Sequence, residues 1–366
     1  MLKLRISEMT YKYCTKCNTF LKNIRIENVS QCLLQRSFAS TRPTNAATEG
    51  RRSELFSREQ RRQYEAVGRI EKIEVTCTGG PEDAKLLMNK NISTPHDCAQ
   101  HLSQMMVQRS ALAQVDQGAL WDMHRPLESP CQLRLLSLRD PDPRHVNKAF
   151  WRTCCFLLGA VAERLFKDDV RALLHSFPSP SVKSGSFVYD VDVGLDDWKP
   201  SESELRAVSG EMVRLAREGR RLERLVVAAD LALDMFRDNP HKCAQIPSIA
   251  SQLSGVMAHG GCAGDHVVLY RCGQHVDLSR GPMVADTSFL GRCTVTAVHR
   301  VEREGRSLYR FQGVALPKGI LLNHFAYSIL EKRARNLNPA ALQDHDQGTD
   351  QSGQHEQHEA AAQQSV

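Results

Sequence analysis

The stretch Val276-Asp277-Leu278-Ser279-Arg280-Gly281-Pro282-Met283-Val284 is the most distinctive run in this chain of 366 residues. It opens with the end of a strand that is predicted at 274–278, and another strand is predicted just before it at 267–270. A β-hairpin is predicted next, with arms at 294–301 and 307–315. The distinctive run therefore lies within a strand-rich segment.

Two helices and a further strand are predicted upstream of these strands. The first helix carries an apolar stripe whose members recur three and four residues apart, at Trp151, Cys154, Leu158, Val161 and Leu165. The second begins at a capping box of Ser201 and Glu204 and is expected to run to about residue 238, where Asn239-Pro240 ends it. Between them, 187–192 is predicted as a strand. These elements predict an α+β domain over 145–335.

A smaller domain, in which one helix crosses a sheet, is predicted over residues 70–140. Apolar residues alternate with polar ones, as in a half-buried strand, at Ile73, Val75 and Cys77. Thr94, followed three residues later by Asp97, predicts the start of the helix. Further short strands are predicted at 112–115, 119–121 and 131–135. Pro141-Asp142-Pro143 continues neither kind of element and marks the end of this domain.

The two ends of the chain differ in composition from the middle. Residues 1–40 are rich in Lys, Arg, Ser and Thr and end in Arg36-Ser37-Phe38-Ala39-Ser40, which is typical of a cleaved mitochondrial presequence. Residues 41–69 are rich in arginine and are interpreted as an exposed basic arm or helix. Residues 338–366 consist mainly of Gln, Asp, His, Ala and Gly, a composition that favours a disordered tail. We therefore expect disordered termini and a location in the mitochondrial matrix.

The net charge of +6 is unevenly distributed along the chain. Residues 1–69 hold 14 Lys and Arg against 6 Glu, whereas the remaining residues hold 34 basic and 36 acidic side chains. A nearly neutral body does not attract nucleic acid through its overall field, so RNA contacts would come from local arginine clusters. The sequence has no apolar run of the roughly 20 residues that a membrane span requires, so no membrane span is expected.

Ten arginines in three clusters are the candidate RNA-binding residues. The basic arm contributes Arg51, Arg52, Arg61 and Arg62. Offsets of three, four and three residues would align a second cluster on one face of the predicted helix, at Arg214, Arg217, Arg221 and Arg224. The turn of the predicted hairpin contributes Arg303 and Arg306. The alternative interpretation is a solvated face, in which each arginine pairs with a neighbouring acid or with water.

Colinear motifs over roughly 260 residues resemble the N-terminal part of threonyl-tRNA synthetase. Residues 72–138, which include Gly118-Ala119-Leu120-Trp121-Asp122 and Arg125-Pro126-Leu127, resemble its TGS domain. Residues 145–335 resemble its editing domain, most clearly at Tyr189-Asp190-Val191-Asp192 and at the run quoted first. The resemblance implies a TGS-like β-grasp domain followed by an editing-like α+β domain.

In that family the editing domain hydrolyses serine wrongly attached to threonine tRNA. It uses a His-x3-His pair on its first helix and a Cys-x3-His pair in the later strand region. An alignment through Leu157-Leu158-Gly159 puts Phe156 and Ala160 at the two histidine positions, and it puts Ser279 and Met283 at the cysteine and second histidine positions. Phe, Ala and Met side chains neither accept a proton at neutral pH nor bind a hard metal ion. The resemblance thus implies a catalytically degenerate pocket without catalytic residues.

A class II catalytic domain follows the editing domain in the synthetase, but only about 30 low-complexity residues follow it here. Aminoacylation is therefore not expected. The leader, the two domains and the altered pocket together resemble a family of mitochondrial large ribosomal subunit proteins. That resemblance implies a structural constituent that is not an enzyme. Its implied partners are mitochondrial large-subunit rRNA and other mitochondrial ribosomal proteins, without a cofactor or a small-molecule substrate.

Three other interpretations remain open. A freestanding aminoacyl-tRNA deacylase, or trans-editing factor, would use rearranged groups such as Ser279 and Cys155. A soluble matrix regulator would use the TGS-like domain as an RNA-binding or protein-binding module. A metal site would draw on five potential ligands within 17 residues, at His259, Cys262, His266, Cys272 and His275. Their spacing matches no common zinc ribbon or finger.

Overall fold

The computed structural model describes residues 44–79, 83–167, 170–195, 197–257, 265–303, 305–340 and 342. The helices are α1 (Asn45–Glu65), α2 (Pro95–Leu102), α3 (Gln104–Arg109), α4 (Arg144–Leu165), α5 (Glu202–Glu218), α6 (Ala229–Met235), α7 (Pro240–Met257) and α8 (His324–Arg333). The strands are β1 (Lys72–Thr78), β2 (Ala84–Asn89), β3 (Ser110–Val115), β4 (Ala119–Trp121), β5 (Cys131–Ser137), β6 (Leu173–Ser176), β7 (Phe187–Asp192), β8 (Glu223–Ala228), β9 (His266–Cys272), β10 (His275–Leu278), β11 (Leu290–Arg303) and β12 (Arg306–Pro317). In the part of the chain described, no helix combines the length and apolarity that crossing a membrane requires. The mixed α+β class is confirmed.

The first sheet has five strands in the order β2-β1-β5-β3-β4. The neighbouring strands β1 and β5 run parallel, while the other pairs are antiparallel. The predicted capping box is confirmed, because the Thr94 hydroxyl accepts from the Asp97 N–H and the Asp97 carboxylate accepts from the Thr94 N–H. Pro95 at the first position of α2 needs no N–H partner, so the helix starts sharply there.

The remaining strands form two antiparallel sheets. One has the order β10-β9-β8 and the other has the order β11-β12-β7-β6. The predicted hairpin is confirmed and is longer than expected, because β11 and β12 pair from Arg303 and Arg306 at the turn to Leu290 and Pro317 at the far end. Helix α4 lies against the four-stranded sheet. One apolar cluster runs from the first sheet through α4 to the four-stranded sheet.

The helix that was predicted from Ser201 to about residue 238 ends at Glu218, so that prediction was wrong beyond this point. Gly219 has a φ of 58° and takes the left-handed conformation that commonly ends a helix. The chain then enters β8, in which Leu225 and Val227 alternate into the core. Two separate helices, α6 and α7, complete this segment. The arginines at 214–224 have helical spacing, but Gly219 ends the helix between the second and the third of them.

Residues 41–69, interpreted from the sequence as an exposed basic arm or helix, do contain a helix, but this helix is only partly exposed. Residues 45–65 form α1, which is capped by the Thr44 hydroxyl and buries four side chains, Glu49, Arg52, Ser53 and Phe56. Phe56 is completely buried and belongs to an apolar cluster with Val276 and Leu278 of β10. The helix is therefore part of the packed body. Its apolar anchor lies against the strand that opens the distinctive stretch.

The predicted tail begins inside the fold, so the expectation of disorder was wrong for its first residues. Asn338 is only 4% exposed, and its side-chain amide donates to the Ser186 carbonyl at 3.0 Å. Residue 341 and residues 343–366 lie outside the described residues, as does the predicted presequence of residues 1–40.

Candidate functional site

The two α4 positions that the resemblance singles out, Phe156 and Ala160, have different surroundings. Phe156 is fully buried, and its ring centroid lies 4.9 Å from that of His275 on β10. Ala160 is 2% exposed and borders a cleft of about 290 Å³ that Glu49 and Leu215 also line. The cleft lies between α1, α4 and α5. Phe156 thus fills the interior, while Ala160 faces a gap between helices.

The other two positions, Ser279 and Met283, lie in the loop after β10. The Ser279 hydroxyl is half-buried and accepts from the Gly281 N–H at 3.3 Å. Met283 is fully buried, and its backbone N–H donates to the Asp122 carboxylate at 2.8 Å. Neither side chain has a hydrogen bond to a histidine or carboxylate in the described part of the chain. The pair therefore has no group that activates a nucleophile.

Sequence reasoning missed Arg152, which approaches this loop from α4. Its guanidinium donates to the Pro282 carbonyl at 2.8 Å, and the neighbouring Thr153 hydroxyl accepts from the Val284 N–H at 3.1 Å. Arg152 stands four residues before Phe156, so an i, i+4 pair at 152 and 156 also has the spacing of the family's two histidines. The loop is therefore hydrogen-bonded to the helical turn that carries Arg152 and Thr153.

The distinctive stretch at residues 189–192 forms the centre of a buried polar network. The Tyr189 hydroxyl donates to Asp277 of β10 at 2.5 Å, and the Lys242 ammonium of α7 lies 2.5 Å from the other oxygen of the same carboxylate. All three side chains are at most 2% exposed. Burial and the neighbouring Asp277 carboxylate raise the pKa of Tyr189 well above its ordinary value, so the hydroxyl stays protonated and donates. This arrangement ties β7, β10 and α7 together.

The two acids of the same stretch have partners of their own. Asp190 accepts two hydrogen bonds of 2.7 Å from the guanidinium of Arg310 on β12, with both side chains fully buried. Arg303 lies 3.2 Å from the same carboxylate. Asp192 lies 3.0 Å from the imidazole of His241. The residues that carry the strongest resemblance are therefore committed to internal ion pairs, which makes them determinants of the fold.

A second buried network surrounds Glu163, one turn beyond Ala160 on α4. Its carboxylate lies 2.6 Å from Arg52 of α1 and 2.8 Å from the His275 imidazole. Burial would raise the pKa of Glu163, but the charges of Arg52 and His275 hold it at about 2. Glu49, Glu163 and His275 offer ligand atoms within 4.8 Å of one another. Both carboxylates are already paired with guanidinium groups, since Arg52 lies 2.6 Å from Glu163 and Arg164 lies 2.8 Å from Glu49.

Another buried carboxylate, that of Asp122, lies between the first sheet and the loop after β10. It accepts from the Tyr270 hydroxyl at 2.9 Å and from the Met283 N–H. Burial raises the pKa of Asp122. Arg224 approaches its carboxylate at 4.0 Å. Asp122 therefore couples the first sheet to the body that α4 supports.

Four of the ten candidate RNA-binding arginines are engaged inside the protein. Arg51 donates to Asp238 at 2.8 Å and to the carbonyls of residues 234 and 235. Arg52 is 3% exposed and pairs with Asp238 and Glu163. The other two are Arg224, with 11% of its side chain exposed, and Arg303, with 20% exposed. These groups stabilise the fold and have little surface left for RNA.

The remaining six candidates are exposed, but they fall into two groups. Arg62 pairs with Glu59, and Arg214 pairs with Glu211 and Glu218, all on their own helices. Four arginines have no acidic partner in the part of the chain that the structure describes, namely Arg61, Arg217, Arg221 and Arg306. The predicted alignment of Arg214, Arg217, Arg221 and Arg224 on one helical face was wrong, because the last two lie beyond the end of α5.

The nucleophile and metal alternatives can be compared with the same geometry. Burial raises the pKa of Cys155 to about 12, so its thiol stays protonated at neutral pH. Of the five potential metal ligands, His259 and Cys262 lie outside the described residues. Burial raises the pKa of Cys272 to about 12 as well, and His275 is already paired with Glu163. Among the described residues, Cys155 and Cys272 are thus buried, protonated thiols, and the His275 imidazole is held by a carboxylate.

Comparisons of the sequence with known proteins identify its relatives. No protein-family model matches the chain. It is 52% identical over 300 residues to the large ribosomal subunit protein mL39 of Drosophila melanogaster, an alignment that covers 81% of this chain and 87% of that protein. It is 30% identical over 279 residues to the probable cytoplasmic threonine–tRNA ligase 1 of Dictyostelium discoideum, which covers 75% of this chain and 34% of the ligase. The mitochondrial threonine–tRNA ligase of Rattus norvegicus is 30% identical over 239 residues, 64% of this chain and 30% of the ligase.

The chain spans about a third of the length of these ligases. The chain has a mixed α+β fold and is related in sequence to threonine–tRNA ligases. The chain belongs to the mL39 family of large ribosomal subunit proteins.

Proposed function

We propose that the protein is a structural constituent of the mitochondrial large ribosomal subunit, located in the mitochondrial matrix and contacting rRNA and neighbouring ribosomal proteins. The observation that carries this proposal is the 52% identity to mL39 over 87% of that protein. Relatives with mitochondrial in their names, the threonine–tRNA ligases of Arabidopsis thaliana and Rattus norvegicus, support the location. The mechanism is binding, through phosphate contacts and through apolar burial against adjacent subunits.

The proposal includes the absence of catalysis at the degenerate editing positions Phe156, Ala160, Ser279 and Met283. Among the described residues, Ser279 has no hydrogen-bonded base, and Cys155 keeps its proton because it is buried. Removing one general base commonly lowers a rate by about 10²- to 10⁴-fold, so this constellation would leave no useful hydrolysis. The freestanding deacylase is accordingly the less favoured function.

The domain organisation is also part of the proposal. Residues 70–140 are the TGS-like β-grasp domain, which the sheet order β2-β1-β5-β3-β4 and its parallel central pair support. Residues 145–335 are the editing-like domain, which the identity to threonine–tRNA ligases supports. Residues 1–40 are the presequence. Residues 41–69, assigned to a basic arm from the sequence, contribute a helix that packs on the second domain.

For the RNA contacts, we assign the exposed arginines without an acidic partner, Arg61, Arg217, Arg221 and Arg306. A guanidinium that already donates to a carboxylate offers fewer N–H groups to a phosphate. Their exposure and their lack of an acidic partner among the described residues support this choice.

Sedimentation of a mitochondrial matrix extract tests the function. The full chain should travel with the large ribosomal subunit in a sucrose gradient and leave no free pool at the top. A free pool alone would contradict the proposal and favour a soluble regulator. In a second assay, purified protein is incubated with seryl-tRNA of the threonine type. Steady ester hydrolysis that the Ser279→Ala variant abolishes would identify a deacylase instead.

A further inference from the structure

Helix α8 carries apolar side chains on two opposite sides. Tyr327, Leu330 and Ala334 face inward, and Tyr327 and Ala334 form a buried cluster with Val314 of β12. Phe325 and Ile329 point the other way, because two residues advance an α-helix by about 200°. Phe325 is 74% exposed and Ile329 is 51% exposed. Within the part of the chain that the structure describes, docking of α8 onto the hairpin therefore leaves a second apolar side exposed.

The uncovered side continues into the segment before the helix. Leu321, which lies three residues before the first residue of α8, is 92% exposed. We call Leu321, Phe325 and Ile329 the α8 apolar face. Leu322 and Ile320 flank it with 40% and 41% of their surface exposed. Single exposed apolar residues are ordinary on protein surfaces, but a contiguous group on one element marks an interaction site.

Basic side chains surround the α8 apolar face. Exposed cations lie on its borders in the sequence, at Lys318, Lys332, Arg333 and Arg335. The sequence from 318 to 337 contains a single acid, Glu331, which accepts a hydrogen bond from the Thr294 hydroxyl at 2.8 Å. The segment that carries the face, residues 318–337, therefore has a net positive charge.

We propose that the α8 apolar face is a docking surface for another protein chain that presents an apolar groove bordered by acidic side chains. The inference rests on the proposed function, because the partner would be a neighbouring protein of the same particle. Apolar burial supplies the attraction, and charge complementarity at the rim sets the orientation of the partner.

The same observations disfavour other occupants of the face. RNA is recognised by cations together with flat rings on which bases stack, and Phe325 is the one aromatic ring among the three residues of the face, whereas Leu321 and Ile329 are aliphatic. A second copy of the chain would bring two positively charged rims together, which opposes association. Residues 343–366 contain five acids and no Lys or Arg, but their apolar residues are limited to three alanines and Val366. That segment could neutralise the rim, yet it is too poor in apolar groups to cover the face.

Photo-cross-linking in intact mitochondria identifies the occupant. The photoreactive residue benzoylphenylalanine replaces Leu321 in the full chain, and the adduct is treated separately with nuclease and with protease. We expect a nuclease-resistant adduct with one other protein, and the cross-linked peptide should contain apolar residues flanked by Asp or Glu. An adduct lost on nuclease treatment, an adduct of two copies of the chain, or an internal cross-link to residues 343–366 would each overturn the proposal. Absence of any adduct would overturn it as well.

A matched pair of variants tests the contribution of the face. Phe325→Glu combined with Ile329→Glu places carboxylates in the proposed apolar contact, and we expect at least a tenfold drop in the yield of the Leu321 cross-link. Leu87→Glu, on the exposed side of β2 where Leu87 is 69% exposed, is the control and should leave the yield unchanged. Since all three positions are exposed, the variants should fold, and circular dichroism verifies this.

Sedimentation of the same variants separates failure of this inference from failure of the proposed function. If the wild-type chain travels with the large subunit and the yield of the cross-link is equal in wild type and double variant, the inference fails and the function stands. If the wild-type chain does not travel with the large subunit, the proposed function fails, and the docking inference that rests on it fails with it.

Discussion

Asp190 on β7 and Arg310 on β12 are neighbours across two paired strands and join through two hydrogen bonds of 2.7 Å, with neither side chain exposed to solvent. A bidentate guanidinium–carboxylate pair of this kind is specific in geometry. Taking two charges out of water is costly, however, so the pair tolerates the loss of either member poorly.

Asp190→Asn should destabilise the protein strongly. The substitution leaves the Arg310 guanidinium buried with its charge uncompensated, and such losses cost about 3–5 kcal/mol. Urea denaturation followed by tryptophan fluorescence measures the free energy of unfolding. The control is Arg300→Met, which breaks the exposed pair with Asp197 and should cost at most about 1 kcal/mol. Equal costs for the two variants would mean that the buried pair contributes no more than a surface pair.

Two helical glycines give opposite predictions for substitution by alanine. A Cβ at Gly159 would lie 2.5 Å from the ring of Tyr189, which Asp277 and Lys242 hold in place. Gly159→Ala should therefore cost about 1–3 kcal/mol through overpacking. A Cβ at Gly210 on α5 would meet nothing within 4 Å, so Gly210→Ala should stabilise by about 0.5–1 kcal/mol. Thermal melts of both variants check the signs, and stabilisation by Gly159→Ala would contradict the close packing.

Arg52→Met should loosen α1 from the body. The change leaves Asp238 and Glu163 without their shared cation, and we expect the thermal midpoint to fall by on the order of 10 °C. The Glu-specific protease Glu-C, whose cleavage sites in α1 the substitution leaves unchanged, should then cut the helix more rapidly. Arg61→Met, on the exposed side of the same helix, serves as the control and should change neither measurement. If Arg52→Met melted like wild type, α1 would be a dispensable attachment.

Acid should destabilise the protein between about pH 6.5 and pH 5 through a buried histidine. Burial, followed by the charges of Arg303 and His241, lowers the pKa of His175 to about 3. Unfolded chains take up a proton at this position as pH falls below about 6.5, whereas the folded protein does not. The stabilising effect is complete above pH 6.5 and is lost as pH falls towards 3, by up to about 1.4 kcal/mol per pH unit.

His175→Gln should reduce this slope by about one proton, as measured from urea unfolding at pH 7, 6 and 5. An unchanged slope would mean that His175 is protonated in the folded state. Glu163 acts in a lower range, because its folded pKa of about 2 lies below its ordinary value of 4.5. Its contribution is present above pH 4.5 and is lost between pH 4.5 and pH 2. It therefore does not interfere with the histidine measurement.

The exposed arginines should govern the salt dependence of RNA binding. The probe is purified large-subunit rRNA in a filter-binding assay at several salt concentrations. The slope of log K against log salt is negative. Each phosphate contact removed by Arg217→Gln or Arg306→Gln should make it less steep by about 0.7–0.9. Arg62→Gln, whose arginine pairs with Glu59, should change the slope less. Identical slopes for wild type and the Arg217→Gln, Arg306→Gln double variant would exclude both residues from the interface.

Local sequence patterns predicted much of the fold, because capping, periodicity and turns depend on residues close together in the chain. The capping box at Thr94 and the β11–β12 hairpin are of this kind. Patterns failed where the deciding partner was remote. The arginines of α1 looked like a solvated face, since Arg52 finds Glu163 only 111 residues later. Asn338 looked like the start of a disordered tail, although its partners Ser184 and Ser186 lie more than 150 residues earlier.

The candidate site divided in the same way. The residue types of Phe156 and Met283 were enough to predict that neither side chain accepts a proton or binds a hard metal ion, and both are buried. The role of Arg152 depends on a contact with Pro282, which lies 130 residues away, so no local pattern indicated it. The arginine spacing at 214–224 misled because Gly219, a residue that commonly terminates helices, interrupts it.

The Arg310 guanidinium also donates to the carbonyls of Asn338 and Ala340, at 2.6 and 2.8 Å. Residues 338–340 thus cover the buried Arg310 guanidinium, and its hydrogen bonds are complete only when this short segment is packed against the body. A chain that stopped at residue 337 would leave that cation with two unmet donors. A chain that stopped after residue 340 would keep both carbonyl partners.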